Sequence, residues 1–412
     1  MNLQSKIRID TALFAPLVAI MSAMSVIKRK IISTHAPESV KSIAVVKLTG
    51  MGSIIQSTPM LQTLKRNYPD AKLIFITSKS NAQLIRLLPM VSETWIVNDI
   101  GFVSLFTSCL RLIVKFFLRR IDFWFDLEVY SYFSTVLASW SRARVKLGLH
   151  RPTSSWRAGI YHHFIQYNSR IPVSEVYLQM ARAVGSTEAI HELYHFLIHD
   201  PNGLDQKSTA ILPEGEYIVV NPNASDLRIE RRWAARNFSA LINQLATQFP
   251  QMHFVITGSV NETGNVNEVM RGLDKEILPR VVDSCGRLSL VELIQTISCA
   301  KLIVTNDSGP MHLAFATGTA VVALFGPCSP LQYKMNDRSH VIYKNLYCSP
   351  CVHLFLKSPC HGDNQCMKMI GVNEVVAACA MALTGASAHE TVSRNEVKFL
   401  SGEETVLGII RR

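Results

Sequence analysis

The residues best suited to chemistry lie in one short run, Thr305-Asn306-Asp307-Ser308-Gly309-Pro310-Met311-His312, between an apolar strand and an apolar helix. A turn of this kind sets backbone N–H groups and a helix N-terminus at the carboxyl edge of a sheet, where α/β proteins bind phosphate. Ser308 offers a hydroxyl, Gly309 lets a ligand approach the backbone, and His312 can hydrogen-bond a phosphate oxygen; the competing reading is a helix start capped by Asp307 or Ser308. Two further turns leave strands in the same half of the chain. One is Asn221-Pro222-Asn223-Ala224-Ser225, with Arg231-Arg232-Trp233 close behind, and the other is Thr257-Gly258-Ser259. Three polar turns at strand ends describe a pocket for a nucleotide, with Asn223, Ser225, Arg231, Gly258, Asp307, Ser308, Gly309 and His312 as its binding residues. No Walker A loop and no Gly-x-Gly-x-x-Gly fingerprint occurs, which argues against an ATPase or a dehydrogenase.

A fourth turn, Thr49-Gly50-Met51-Gly52-Ser53, closes the first strand of the other half, Ile43–Leu48, and brings Lys47, Gly50 and Gly52 to a sheet edge. Downstream, Asp126 and Glu128 end the strand Phe123–Leu127, where a carboxylate can reach a cleft. Glu128 lies past the last apolar position and is the candidate general base; Asp126 is read as structural.

The elements that must position these residues alternate as strand and helix in two series of similar size, from residue 41 onward and again from Tyr217. The expected fold is α/β, two Rossmann-like lobes with parallel sheets. The expected division is a basic and apolar N-terminal segment 1–37, a first lobe 38–203, a second lobe 204–385 with the connection near Pro201-Asn202-Gly203, and a flexible tail 386–412. The pattern weakens between Arg151 and Pro213. With 48% hydrophobic and 18% charged residues over 412 positions, the chain can bury two cores, which excludes disorder.

The net charge of +11 is unevenly placed. Residues 1–205 hold 23 Lys and Arg against 13 Asp and Glu, and residues 206–412 hold 19 against 18. A basic half suits nucleic acid, anionic lipid or an anionic substrate. No zinc finger, RNA-recognition signature or arginine-rich arm favours nucleic acid, so membrane surface and anionic substrate lead. The apolar stretch Thr11–Ile27, flanked by Lys6, Arg8 and Lys28-Arg29-Lys30, is short for a spanning helix and reads as an interfacial one, with a helix docked on the lobe as the alternative. Cys348, Cys351, Cys360 and Cys366 are spaced so that they can hold a structural zinc, against unligated or redox-active thiols.

The run Asp307–Leu313 with Ala320–Pro327, together with Asn221–Ser225, Arg231–Trp233 and the N-terminal strand, glycine turn and helix to Pro59, resembles glycosyltransferase family 9, the heptosyltransferase-type enzymes of lipopolysaccharide assembly. The resemblance spans about residues 41–380. It implies a GT-B fold, two lobes facing across a cleft, with acceptor on the first lobe and donor on the second. It implies inverting transfer of a heptose-like sugar from a nucleotide-sugar, ADP-heptose-like, to a lipopolysaccharide or lipid-linked glycan, with no cofactor required for catalysis, at the cytoplasmic face of the inner membrane. Ser308, Gly309 and His312 would hold the donor diphosphate, and Arg231 stands where many members have a lysine. One departure matters: many members carry an aspartate base directly after the glycine where this chain has Ser53. The catalytic candidates are therefore Ser53, by position, and Glu128, by chemistry. The rival readings are a non-catalytic sugar-nucleotide-binding member and a GT-B nucleotide-sugar epimerase.

Overall fold

The computed structural model describes residues 10–31, 39–157, 159–196, 212–224, 226–352 and 358–384. An N-terminal helix α1 (Ala15–Ile31) leads into β1 (Ser42–Val46), α2 (Met51–Asn67), β2 (Lys72–Ser78), α3 (Ala82–Arg86), β3 (Glu93–Val97), α4 (Phe102–Leu118), β4 (Phe123–Asp126), α5 (Tyr132–Trp140), β5 (Val145–His150), β6 (His163–Gln166) and α6 (Val173–Arg182). The second series is β7 (Tyr217–Asn221), α7 (Ala235–Gln248), β8 (His253–Ile256), α8 (Thr263–Arg271), β9 (Val281–Asp283), α9 (Leu290–Ser298), β10 (Leu302–Asn306), α10 (Gly309–Thr317), β11 (Val321–Phe325), β12 (Ser339–Tyr343), α11 (Gln365–Lys368) and α12 (Val372–Thr384).

Each series closes into a six-stranded parallel sheet, ordered β3-β2-β1-β4-β5-β6 and β12-β11-β10-β7-β8-β9. The central strands are unbroken apolar runs because helices cover both faces: β7, β10 and β11 are buried at every position. One hydrophobic cluster joins Ile43, Val45 and Phe75 of the first sheet to Ile303, Ala323 and Phe325 of the second, so the lobes share a core at their junction.

In α2, Pro59 lacks the N–H that would bond the carbonyl of Ile55, and the Thr58 hydroxyl donates to that carbonyl instead at 2.6 Å. A capping box opens α9, with Ser289 Oγ accepting from Glu292 N–H and the Glu292 carboxylate accepting from Ser289 N–H.

Where the sequence pattern weakens, the chain nevertheless folds into β6 and α6. β6 is an edge strand exposed at both ends, so it lacks the apolar run that marks a central strand. The expected connection near residue 202 and the tail beyond 385 lie outside the described residues.

α1 docks on the first lobe. Val18 is fully buried, with Phe14, Leu17 and Met21 beside it, and Ser22 Oγ accepts from Gly159 N–H at 3.1 Å. Just before it, Asp10 accepts from the N–H groups of Tyr132 and Phe133 at the start of α5. Leu13, Ile20 and Met24 remain exposed. Among the described residues no helix is long and apolar enough to cross a membrane.

Candidate active site

The second lobe knits its three turns together at the carboxyl edge of the sheet. Asn221, the last residue of β7, donates to Thr305 Oγ1 at 2.9 Å and to Ser308 Oγ at 2.8 Å. Asn306 accepts from Trp233 N–H at 3.0 Å and donates to the carbonyl of Pro222 at 2.9 Å. Asn223 donates to the carbonyl of Thr257 at 3.0 Å and accepts from Asn265 at 2.9 Å, while Gly258 lies directly beneath its carboxamide. Asn223 and Gly258 therefore fix the spacing of the turns. Ser225 lies outside the described residues.

Asp307 is buried at the head of this network, and Arg231 reaches over it, Nη1 standing 3.7 Å from Oδ2. Arg231 Nε and Asp307 Oδ2 are buried without a hydrogen-bond partner, an arrangement that calls for an explanation. α10 starts at Ser308, whose side chain makes no capping hydrogen bond to the helix. Its positive end is left to whatever anion approaches.

The first lobe brings a second helix start to the same place. Gly50, at φ 88°, allows the chain to turn from β1 into α2, again with no side-chain cap. The turns touch: a Cβ on Gly52 would stand 2.2 Å from the His312 ring, and one on Gly309 would stand 3.2 Å from Met51 Sδ. Only glycine fits at position 52 while His312 keeps its place. His312 is sealed between the lobes, its ring edge-on to Tyr333 at 4.6 Å and its Nδ1 3.5 Å from Gln56 Nε2. Burial pushes its pKa down to about 4, against the opposing pull of Asp307, so the imidazole is neutral at physiological pH.

Glu128 enters the crevice from the end of β4. Its Oε1 accepts from Leu48 N–H at 2.8 Å and Thr49 N–H at 3.1 Å, and its Oε2 accepts from Lys47 Nζ at 2.9 Å. It ties the start of the Gly50 turn to the neighbouring strand. Ser53 is half-buried beside the Tyr177 hydroxyl, with which it hydrogen-bonds. Asp126 is wholly enclosed. It accepts from Arg157 Nη2 at 2.6 Å, Ser134 Oγ at 2.8 Å, Glu128 N–H at 2.9 Å and the Tyr161 hydroxyl. Arg157 also donates to the carbonyls of Glu128 and Val129, so this buried pair holds the loop that carries Glu128.

Sequence reasoning missed Gln56, which grips Lys334 across the lobes by donating to its carbonyl and accepting from its N–H, both at 2.8 Å. A glutamine one helical turn after Gly52 was the available signal. Cys328, buried, and Tyr333, half-buried, both close to Asp307 and Arg231, carried none.

All nine cysteines are free thiols. Cys348, Cys351, Cys360 and Cys366 line one cavity with Glu230 and Ser358, yet among the described residues no three of His, Cys, Asp or Glu are arranged to hold a metal ion.

Two parallel α/β lobes with helix N-termini and an arginine converging between them define a GT-B glycosyltransferase. Residues 132–358 match the model of glycosyltransferase family 9 (heptosyltransferase), and the chain belongs to that family. It is 27% identical over 336 residues to lipooligosaccharide heptosyltransferase 2 of Campylobacter jejuni, covering 80% of this chain and 94% of the relative. The solved ADP-heptose lipopolysaccharide heptosyltransferase II of Escherichia coli superposes with a TM-score of 0.66 at 21% identity, covering 84% of this chain and 99% of that one. A family 9 glycosyltransferase from Veillonella parvula gives 0.70 at 19% identity, covering 85% and 100%.

Proposed function

We propose that this chain transfers a heptose from an ADP-heptose-like donor to a phosphorylated, lipid-linked acceptor of the lipopolysaccharide type, with inversion and without a metal, at the cytoplasmic face of the inner membrane. Family membership and the name of the Campylobacter jejuni relative support the sugar and the acceptor class. The observation that carries the reading is the meeting of two uncapped helix N-termini, those of α2 and α10, beneath Arg231. Like dipole ends brought together repel, and a diphosphate or sugar phosphate between them removes that cost.

In the reaction the acceptor oxygen bonds to the anomeric carbon from one face as the bond from that carbon to the diphosphate oxygen breaks on the other. The departing ADP gathers negative charge, which the α10 amides and the Arg231 guanidinium are placed to stabilise. The proton of the acceptor hydroxyl passes to a base on the first lobe, and Glu128 is the carboxylate at the acceptor-side turn. Neutral His312 serves as a hydrogen-bonding group rather than a cation. Arg231 supplies a fixed cation for the departing diphosphate.

Arg231→Ala tests this assignment. Loss of one preorganised charge-stabilising donor costs about 10²- to 10³-fold in kcat. Nucleotide release should fall by that factor with the fold intact by circular dichroism; unchanged kcat would remove Arg231 from the mechanism.

A further inference from the structure

α4 is apolar over most of its circumference, with Ser104, Ser108, Arg111 and Lys115 gathered on one side. One side belongs to the lobe: Leu112 and Phe116 are buried with Ile121 and Trp124, and Lys115 Nζ sits 4.7 Å over the Trp95 ring. The other side should be polar in a water-facing helix. Instead Val103, Phe106, Leu110, Val114, Phe117 and Leu118 form a stripe, each between 47% and 79% exposed. At 100° per residue these six fall within about 120° of arc, a continuous ridge rather than scattered surface contacts. The helix carries no acidic residue. Arg111 lies along the edge of the ridge and Arg120 just past its end, both exposed.

Topology places this ridge beside the acceptor turn. α4 follows β3 in a parallel sheet, so it starts at the carboxyl edge, where Gly50–Ser53 and Glu128 also lie. It packs on the sheet face of Ala44, Val46, Ile74 and Ile76, opposite the face that α2 covers, and so points away from the second lobe. α1 packs in the same layer and exposes Leu13, Ile20 and Met24.

We infer that the exposed ridge of α4 docks the enzyme on an anionic bilayer, its apolar side chains entering the acyl boundary and Arg111 and Arg120 meeting lipid phosphates. The inference rests on the proposed lipid-linked acceptor and adds the surface that brings the crevice to it. Charge decides between a bilayer and a second copy of this chain. A two-fold contact centred on α4 with the helices antiparallel would set Arg111 against its own copy, with no carboxylate on the helix to offset it, whereas an anionic headgroup layer matches both the apolar ridge and the basic edge.

The test is flotation of the full-length chain with vesicles of phosphatidylcholine alone or mixed with phosphatidylglycerol. Wild type should float with the mixed vesicles, less so in high salt, and weakly with the neutral ones. The triple variant Phe106→Gln, Leu110→Gln, Val114→Gln should reduce flotation about tenfold or more. The substituted side chains face outward, so the thermal midpoint and transfer to a soluble, lipid-free acceptor should be retained. Arg111→Gln with Arg120→Gln should lower binding to the mixed vesicles only, and gives a reading should the triple variant fail to fold. The inference is overturned if the variants float like wild type, if wild type binds both vesicle types equally, or if wild type is a dimer that the triple variant dissociates and neither binds lipid. Transfer to a soluble acceptor reads the proposed reaction separately: activity with unaltered flotation of the variants rejects the docking surface alone, and α4-dependent flotation without activity rejects the reaction alone.

Discussion

Glu128 has a structural role on view and a chemical one in the proposed reaction. Three donors converge on it, two of them backbone N–H groups of the acceptor-side turn and the third Lys47, and Arg157 fixes its loop from behind. With Ser53 where a base is expected, Glu128 is the acid side chain held at that turn. Glu128→Gln keeps the shape but removes the proton acceptor, so kcat should fall by about 10²-fold or more. A donor nucleotide-sugar should still raise the melting temperature of the variant; turnover near the wild-type rate would exclude Glu128 as base. The enclosed place of Asp126, ahead of the apolar Leu127, was legible in sequence. The Lys47 pairing was not, because it joins side chains on neighbouring strands 81 residues apart.

At the scale of elements, the contact between α2 and α10 carries a titratable group. His312 lies in that contact with a pKa of about 4, below its ordinary 6.5, because burial disfavours the charged ring. The unfolded chain therefore takes up the proton first on acidification. Stability should fall as pH drops from about 6.5 to about 4, with the full penalty below that, and be untouched above 6.5. Melting temperatures across this range should show a flatter slope for His312→Gln than for wild type; parallel slopes would mean that His312 is not the group responsible. The central strands and the α10 turn were readable because apolar runs and glycine-bearing turns are local signals. β6 and α6 were not, since an edge strand owes its place to its neighbours rather than to its own pattern.

At the scale of the whole molecule, the two lobes are joined through a shared hydrophobic cluster and through Gln56, which bonds both backbone groups of Lys334. Such contacts lie beyond sequence reasoning, which recovered two sheets but not the faces they turn to one another. In the proposed reaction the crevice, rather than either lobe, is the unit of function, with the donor diphosphate where the starts of α2 and α10 meet and the acceptor approaching from the first lobe. The most direct measurement is to incubate the chain with ADP-heptose and a lipid-linked lipopolysaccharide core acceptor, with added chelator, and to follow both products by mass spectrometry. The account predicts ADP and acceptor bearing one added heptose in equal amounts, with the configuration of the transferred anomeric carbon reversed. ADP without a heptosylated acceptor, retained configuration, or no release of ADP would contradict it.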